Sequence, residues 1–136
     1  MLEESRTRII DRVIEKLGRT IGIEAVILFG SWTRGGGGDW SDIDLLVVSN
    51  QVKHTNILDR FRLAAELREP RTDIFIYTYE EVESMLIRMN PLIVSALVEG
   101  TPIRTSERVI NLIEYARRKF TKKGRLWVME HSPLLL

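Results

Sequence analysis

A chain of 136 residues is long enough for one domain that buries about two thirds of the surface its unfolded form exposes, without help from a disulfide or a structural metal. Its 44% apolar and 29% charged residues make a soluble globular composition; no apolar run approaches the roughly 18 residues of a membrane span, and an acidic N-terminus without a secretion-type apolar segment points to the cytoplasm. A net charge of +1 gives no overall pull toward nucleic acid, which is not indicated as the primary partner, and zero cysteines exclude thiol catalysis, zinc fingers and iron–sulfur clusters.

Ile9, Ile10, Val13, Ile14 and Leu17 recur at helical spacing, predicting an amphipathic helix over residues 3–18. The run Ala25 to Phe29 is too short for a helix and too apolar for a loop, so residues 24–29 read as a buried strand ended by Gly30-Ser31. A four-glycine stretch, Gly35 to Gly38, leads to a second buried strand over residues 41–49. Thr55 is the expected N-cap of a helix whose apolar face includes Leu58, Phe61 and Ala65 and which Glu69-Pro70 stops.

A third strand is predicted over residues 72–78. Thr78 and Glu81 form a capping-box pattern ahead of Val82, Met85, Leu86 and Met89. Asn90-Pro91 opens a further helix that Gly100 closes. A short extended piece over 102–104 precedes a last helix with Val109, Leu112, Ile113, Ala116 and Phe120 on one stripe, and the final dozen residues read as frayed or partner-dependent. The alternation predicts a small mixed α/β (α+β) domain over residues 1–125 with a tail over 126–136.

Asp42 and Asp44 lie two apart in a strand, so both side chains leave the same face. Two carboxylates there repel and lose hydration unless a cation neutralises them, and Mg²⁺, with its preference for oxygen ligands, suits the pair. Asp73 sits in the otherwise apolar third strand, and paired strands about 4.8 Å apart bring it to the same cluster. Three acids suffice for two metal ions at the spacing of phosphoryl displacement, with Asp73 also able to take a proton from an attacking hydroxyl. Spacing alone equally fits a strand-entry turn at Asp42, a solvent-facing Asp44 and a polar turn at Asp73. Gly30 and Ser31 precede Trp32-Thr33-Arg34, a possible helical turn with free N–H groups; glycine admits a triphosphate closely and Arg34 offers a charged fork, although a strand ending in Gly-Ser is also an ordinary turn.

Taken together, Gly30-Ser31-Trp32-Thr33-Arg34-Gly35 and Ser41-Asp42-Ile43-Asp44-Leu45-Leu46-Val47 resemble the signature of the DNA polymerase beta-like nucleotidyltransferase superfamily, in its minimal, MNT-type branch. Thr33 and Gly37 depart from the alanines usual there, and Asn90-Pro91-Leu92-Ile93 through Glu99-Gly100 resembles the C-terminal part of these small proteins. The resemblance implies the nucleotidyltransferase fold, with Gly30 and Ser31 holding the triphosphate of ATP or another NTP and Asp42, Asp44 and Asp73 binding Mg²⁺. It also implies a partner, because many MNT proteins are antitoxins that bind an all-helical HEPN ribonuclease toxin and transfer AMP to one of its tyrosines. The alternatives are transfer to a small molecule such as an aminoglycoside and a non-catalytic NTP-binding module.

Trp32, Trp40 and the terminal Pro133 to Leu136 are candidates for an exposed apolar partner patch, with simple packing the more ordinary role for the two tryptophans. The basic run from Arg117 to Arg125 reads as the solvated end of the last helix, favourable to its dipole. His54 and His131 lie away from the carboxylate motifs and carry no assigned function.

Overall fold

A computed structural model describes residues 2–30, 43–67, 69 and 71–130. Helix α1 (Leu2–Thr20) leads to strand β1 (Ala25–Phe29) and then strand β2 (Ile43–Val48), followed by a 3₁₀ turn at Asn50–Val52. Helix α2 (Ile57–Leu67), strand β3 (Thr72–Tyr77), helices α3 (Tyr79–Ile87) and α4 (Pro91–Glu99), strand β4 (Thr101–Arg104) and helix α5 (Glu107–Lys119) follow, and strands β5 (Phe120–Lys123) and β6 (Leu126–Met129) end the described chain. The main sheet runs β3-β2-β1-β4. Strand β1 is antiparallel to both β2 and β4, and β2 is parallel to β3. This is the mixed α/β sheet flanked by helices that the sequence predicts.

The central strands are apolar at nearly every position because the sheet is covered on both faces. Val26, Leu28, Leu45, Val47, Ile74 and Ile76 face one layer, where Ile10, Val13 and Leu17 of α1 and Ala64 of α2 bury. Ala25, Ile27, Phe29, Leu46 and Val48 face the other, packed by buried residues of α3, α4 and α5. Each such side chain contributes about 1.5–3 kcal/mol by leaving water, so the two layers hold the strand ends rigidly.

The caps of α3 and α4 follow the sequence closely. Thr78 and Glu81 form both halves of the capping box, and the Asn90 side chain accepts from the N–H groups of Leu92 and Ile93. Gly100 does close α4, but at φ −74° it needs no left-handed backbone. Glycine is required by crowding: a Cβ there would lie 2.2 Å from the Ala96 carbonyl oxygen and 2.9 Å from that of Leu28. Arg117 completes this end by donating to the carbonyls of Leu97 and Gly100, while Lys122 lies 3.8 Å from Glu99 and over the Trp127 ring. Part of the basic run therefore holds the fold.

Three expectations are corrected. The cap of α2 is Asn56, whose Oδ1 accepts from the Asp59 N–H at 2.8 Å; Thr55 instead offers its carbonyl to Arg60. The face of α2 named by Leu58, Phe61 and Ala65 does not point inward. The buried residues of α2 are Arg60 and Ala64, with Leu63 and Leu67 partly buried against the core, while Leu58, Phe61 and Ala65 are exposed. Arg60 can occupy the inner face because its guanidinium is fully used, donating to the carbonyls of Thr55 (2.9 Å) and Val52 (2.7 Å) and to the Glu81 carboxylate (2.6 Å). Finally, residues 126–129 are not frayed: β6 pairs with β5 through a turn at Gly124 (φ +63°), with Trp127 and Met129 packed against the core.

Candidate functional site

The site lies where β1 ends and where β2 and β3 begin. In the antiparallel register Asp44 is opposite Phe29, and in the parallel register it is beside Asp73. All three therefore leave the same face of the sheet. Asp44 is the one residue of β2 that is not fully buried, and Asp73 is also half-buried. Next along the same face, Phe29 and Phe75 set their rings 5.9 Å apart at a 50° tilt. Two carboxylates thus stand at the rim of an aromatic floor, where water is only partly available to them.

Backbone bonds fix this register. The Ile43 N–H donates to the Arg71 carbonyl at 2.7 Å, joining the first residue of β2 to the residue before β3. Arg71 itself has φ +66°. The Thr72 N–H donates to the Glu69 carbonyl at 3.1 Å, and the Glu69 carboxylate is held by Arg12 (2.6 Å) and Lys16 (3.5 Å) of α1. Those two cations keep the Glu69 carboxyl below its ordinary range, the Arg12 hydrogen bond being the larger cause. The sequence marks Glu69-Pro70 only as a helix stop, and nothing in it signals that the carbonyls of Glu69 and Arg71 align two acids.

Gly30 closes the site from the β1 side. Its φ is +95°, and a Cβ at that position would lie 2.3 Å from Asp44 Oδ2 and 3.2 Å from its Cγ. Both the backbone angle and the space beside the carboxylate demand glycine. The structure therefore brings together Gly30, Asp44 and Asp73 of the predicted site residues. Ser31, Arg34 and Asp42 lie outside the described residues, as do Trp32, Trp40 and the four glycines. Among the described residues no group of three or more acids, histidines or cysteines is placed to hold a metal ion. The side chains present, two carboxylates in register, are the hard oxygen donors that Mg²⁺ prefers.

A shallow cavity of about 200 Å³ is lined by Phe61, Ala64, Ala65, Asp73, Ile74 and Phe75. It sits between α2 and β3, the strand that ends the sheet. No helix among the described residues is long and apolar enough to cross a membrane.

No protein in a curated set matches this chain. Among solved structures, a proposed nucleotidyltransferase from Sulfolobus solfataricus is 23% identical, with 79% of this chain and 89% of that chain covered and a TM-score of 0.55. A toxin–antitoxin structure with AMP-PNP is 18% identical over 79% of this chain and 83% of that one, also at 0.55. The MntA–HepT toxin–antitoxin structure is 16% identical over 79% and 80%, at 0.50. These likenesses extend to the fold. The sequence family described as nucleotidyltransferase domain matches residues 7–125. A match over that much of the chain makes the protein a member of the nucleotidyltransferase domain family.

Proposed function

We propose that the chain is a Mg²⁺-dependent enzyme of the cytoplasm that moves AMP from ATP to a protein acceptor, acting as the antitoxin that binds and AMPylates a HEPN-type toxin. The observation that carries the reading is the in-register pair Asp44 and Asp73 with Gly30 packed against the Asp44 carboxylate. Membership of the nucleotidyltransferase domain family supports the reaction class, and fold likeness to toxin–antitoxin structures, one with AMP-PNP, supports the partner.

Asp42, Asp44 and Asp73 would hold the metal, two ions in the full site, which supplies charge neutralisation for the attacking and leaving oxygens. Gly30, Ser31 and Arg34 would hold the triphosphate through backbone N–H groups, a hydroxyl and a guanidinium. The acceptor hydroxyl oxygen bonds to the α-phosphorus as the bond from that phosphorus to the oxygen bridging the β-phosphate breaks. Pyrophosphate leaves, and the hydroxyl proton passes to the Asp73 carboxylate.

The test is incubation of the purified chain with α-phosphate-labelled ATP and Mg²⁺, in the presence of a purified HEPN-fold protein encoded beside it or of kanamycin. Label on the protein is the expected result. Label on kanamycin instead would make the acceptor a small molecule, and nucleotide binding with no label on either would make the chain a binding module.

A further inference from the structure

The fold accounts for only part of the basic run at the end of α5. Residues 117–129 hold six of the chain's 20 Lys and Arg residues and no acid, although the net charge of the whole chain is only +1. Arg117 and Lys122 are used internally, on the carbonyls of Leu97 and Gly100 and on Glu99 and the Trp127 ring. The side chains of Arg118, Lys119, Lys123 and Arg125 form no hydrogen bond or ion pair among the described residues, and all but Lys119 are exposed. Neighbouring acids do not neutralise them: Glu130 accepts from Thr121, and Glu114, one turn before Arg118, makes no ion pair with it among the described residues. The α5 dipole favours Arg118 and Lys119 in the last turn, but its influence does not reach past that turn to Lys123 and Arg125.

These four cations stand at the same end of the sheet as the acid pair. Helix α5 ends beside Gly100, whose carbonyl Arg117 reaches, and the next residue, Thr101, pairs with Leu28, the neighbour of Phe29 opposite Asp44. Phe120, the first residue of β5, buries in the layer that also holds Phe29. Strands β5 and β6 then form a two-stranded ribbon that sets Lys123 opposite Leu126, with Gly124 and Arg125 as its tip. Alternation along the strands turns Phe120 and Lys122 inward and Thr121 and Lys123 outward. On the paired strand Trp127 and Met129 pack against the core, and Leu126, 71% exposed, lies on the side of Lys123.

We propose that this ribbon and the adjoining helix end form a docking surface for single-stranded nucleic acid, held through its phosphates without regard to sequence or sugar. The inference goes beyond the transfer reading and does not rest on it. Cations with no acid among them match a regularly repeated negative charge, and counterions released from the strand drive the association. A single strand fits better than a duplex. The cations occupy a helix turn, a strand that extends about 13 Å from it, and a hairpin tip. A flexible strand can follow that path, whereas a duplex with a persistence length of about 50 nm keeps straight. Unpaired bases also give Leu126 a flat apolar surface to lie against. Protein partners and lipid surfaces are held through broad apolar areas, and Leu126 is the one large apolar side chain that this ribbon exposes.

The test titrates the full chain into fluorescein-labelled RNA and DNA strands of about 12 nucleotides and mixed sequence. Binding is read as anisotropy, without NTP or Mg²⁺, between about 50 and 200 mM salt. RNA and DNA should bind alike, and log K should fall with log salt at a slope of about −2.8, the value for four phosphate contacts on a single strand. Lys123→Gln/Arg125→Gln should weaken binding at least fivefold and halve the slope, and Arg118→Gln/Lys119→Gln, on the helix side, should do the same. Lys53→Glu, exposed beyond the other end of β2, changes the net charge by as much as either pair and should bind like wild type. Circular dichroism checks that each variant is folded. No binding at about 50 mM salt, a loss from Lys53→Glu equal to that from the paired variants, or a strong preference for one sugar or one sequence would overturn the proposal. So would tighter binding of duplex, of polyglutamate or of phosphatidylglycerol vesicles than of the single strands. Transfer is read separately by the labelled-ATP assay, so failure here leaves that reading untouched.

Discussion

Gly30 and Asp44 are built around one another: the residue that follows β1 has φ +95°, and the space a Cβ would fill is taken by Asp44 Oδ2 at 2.3 Å. Gly30→Ala therefore has two costs. The backbone angle is strained by about 1–3 kcal/mol, and the Asp44 carboxylate must swing aside. Because a carboxylate end can move, the loss of stability stays near the strain alone, whereas activity depends on where that carboxylate stands. The expected outcome is a melting temperature lowered by several degrees and transfer reduced at least 100-fold, checked by calorimetry and by labelled-ATP assay on the same preparation.

Asp44→Asn and Asp73→Asn separate charge from shape. Each keeps the side-chain volume and removes the anion beside its register partner, so the fold should stay intact, and removal of one carboxylate relieves any mutual repulsion. Transfer should fall about 1000-fold, roughly 4 kcal/mol of transition-state stabilisation. Near-normal turnover by either variant, at unchanged thermal stability, would remove the acids from the mechanism.

How far the sequence foretells this site depends on the range of the interactions involved. The two-residue periodicity of a strand is local, and so is the apolar run that identifies β2 and β3; the meeting of Asp44 with Asp73 follows once those strands pair. The capping box at Thr78 and Glu81 is local too, and is found as predicted. The outward turn of α2 is not local. It is decided by carbonyls at Val52 and Thr55 and a carboxylate at Glu81 that together satisfy Arg60, and periodicity in residues 57–67 cannot register partners outside them. The β5–β6 hairpin is hidden for a related reason: residues 121–125, which cover most of β5 and the turn, are almost all polar or charged, and the pairing forms because Trp127 and Met129 of β6 pack against the core.

Arg60→Met tests that buried guanidinium. The change keeps an unbranched side chain but leaves the carbonyls of Thr55 and Val52 and one oxygen of Glu81 without these donors. Burial works against the ionised Glu81, yet the Arg60 hydrogen bond and the Thr78 backbone N–H hold its pKa below the ordinary range, so the loss falls on both the turn and the α3 cap. Glu81 is partly exposed and regains water, which limits the cost to about 2–3 kcal/mol. Urea unfolding monitored by circular dichroism measures it, and a change below about 0.5 kcal/mol would show that the network contributes little.

The acid limb of the stability profile should report Glu24, which ties β1 to the start of α5. Its carboxylate accepts from Arg108 Nε at 2.6 Å and Nη2 at 2.7 Å and from Ser106 Oγ at 2.7 Å. The Arg108 hydrogen bond is the largest influence; burial opposes it and Ser106 adds to it, and the net effect lowers the pKa from 4.5. A folded-state pKa below the unfolded one means that the unfolded chain binds the proton more tightly. The contribution is therefore complete above about pH 4.5 and disappears as pH falls through the lower folded value. Thermal melts of wild type and Glu24→Gln from pH 7 to pH 3 should show the variant less stable at neutral pH and the two curves converging below pH 4.5. A gap between them that stays constant down to pH 3 would mean that Glu24 acts through shape and hydrogen bonding alone, with no part played by its charge.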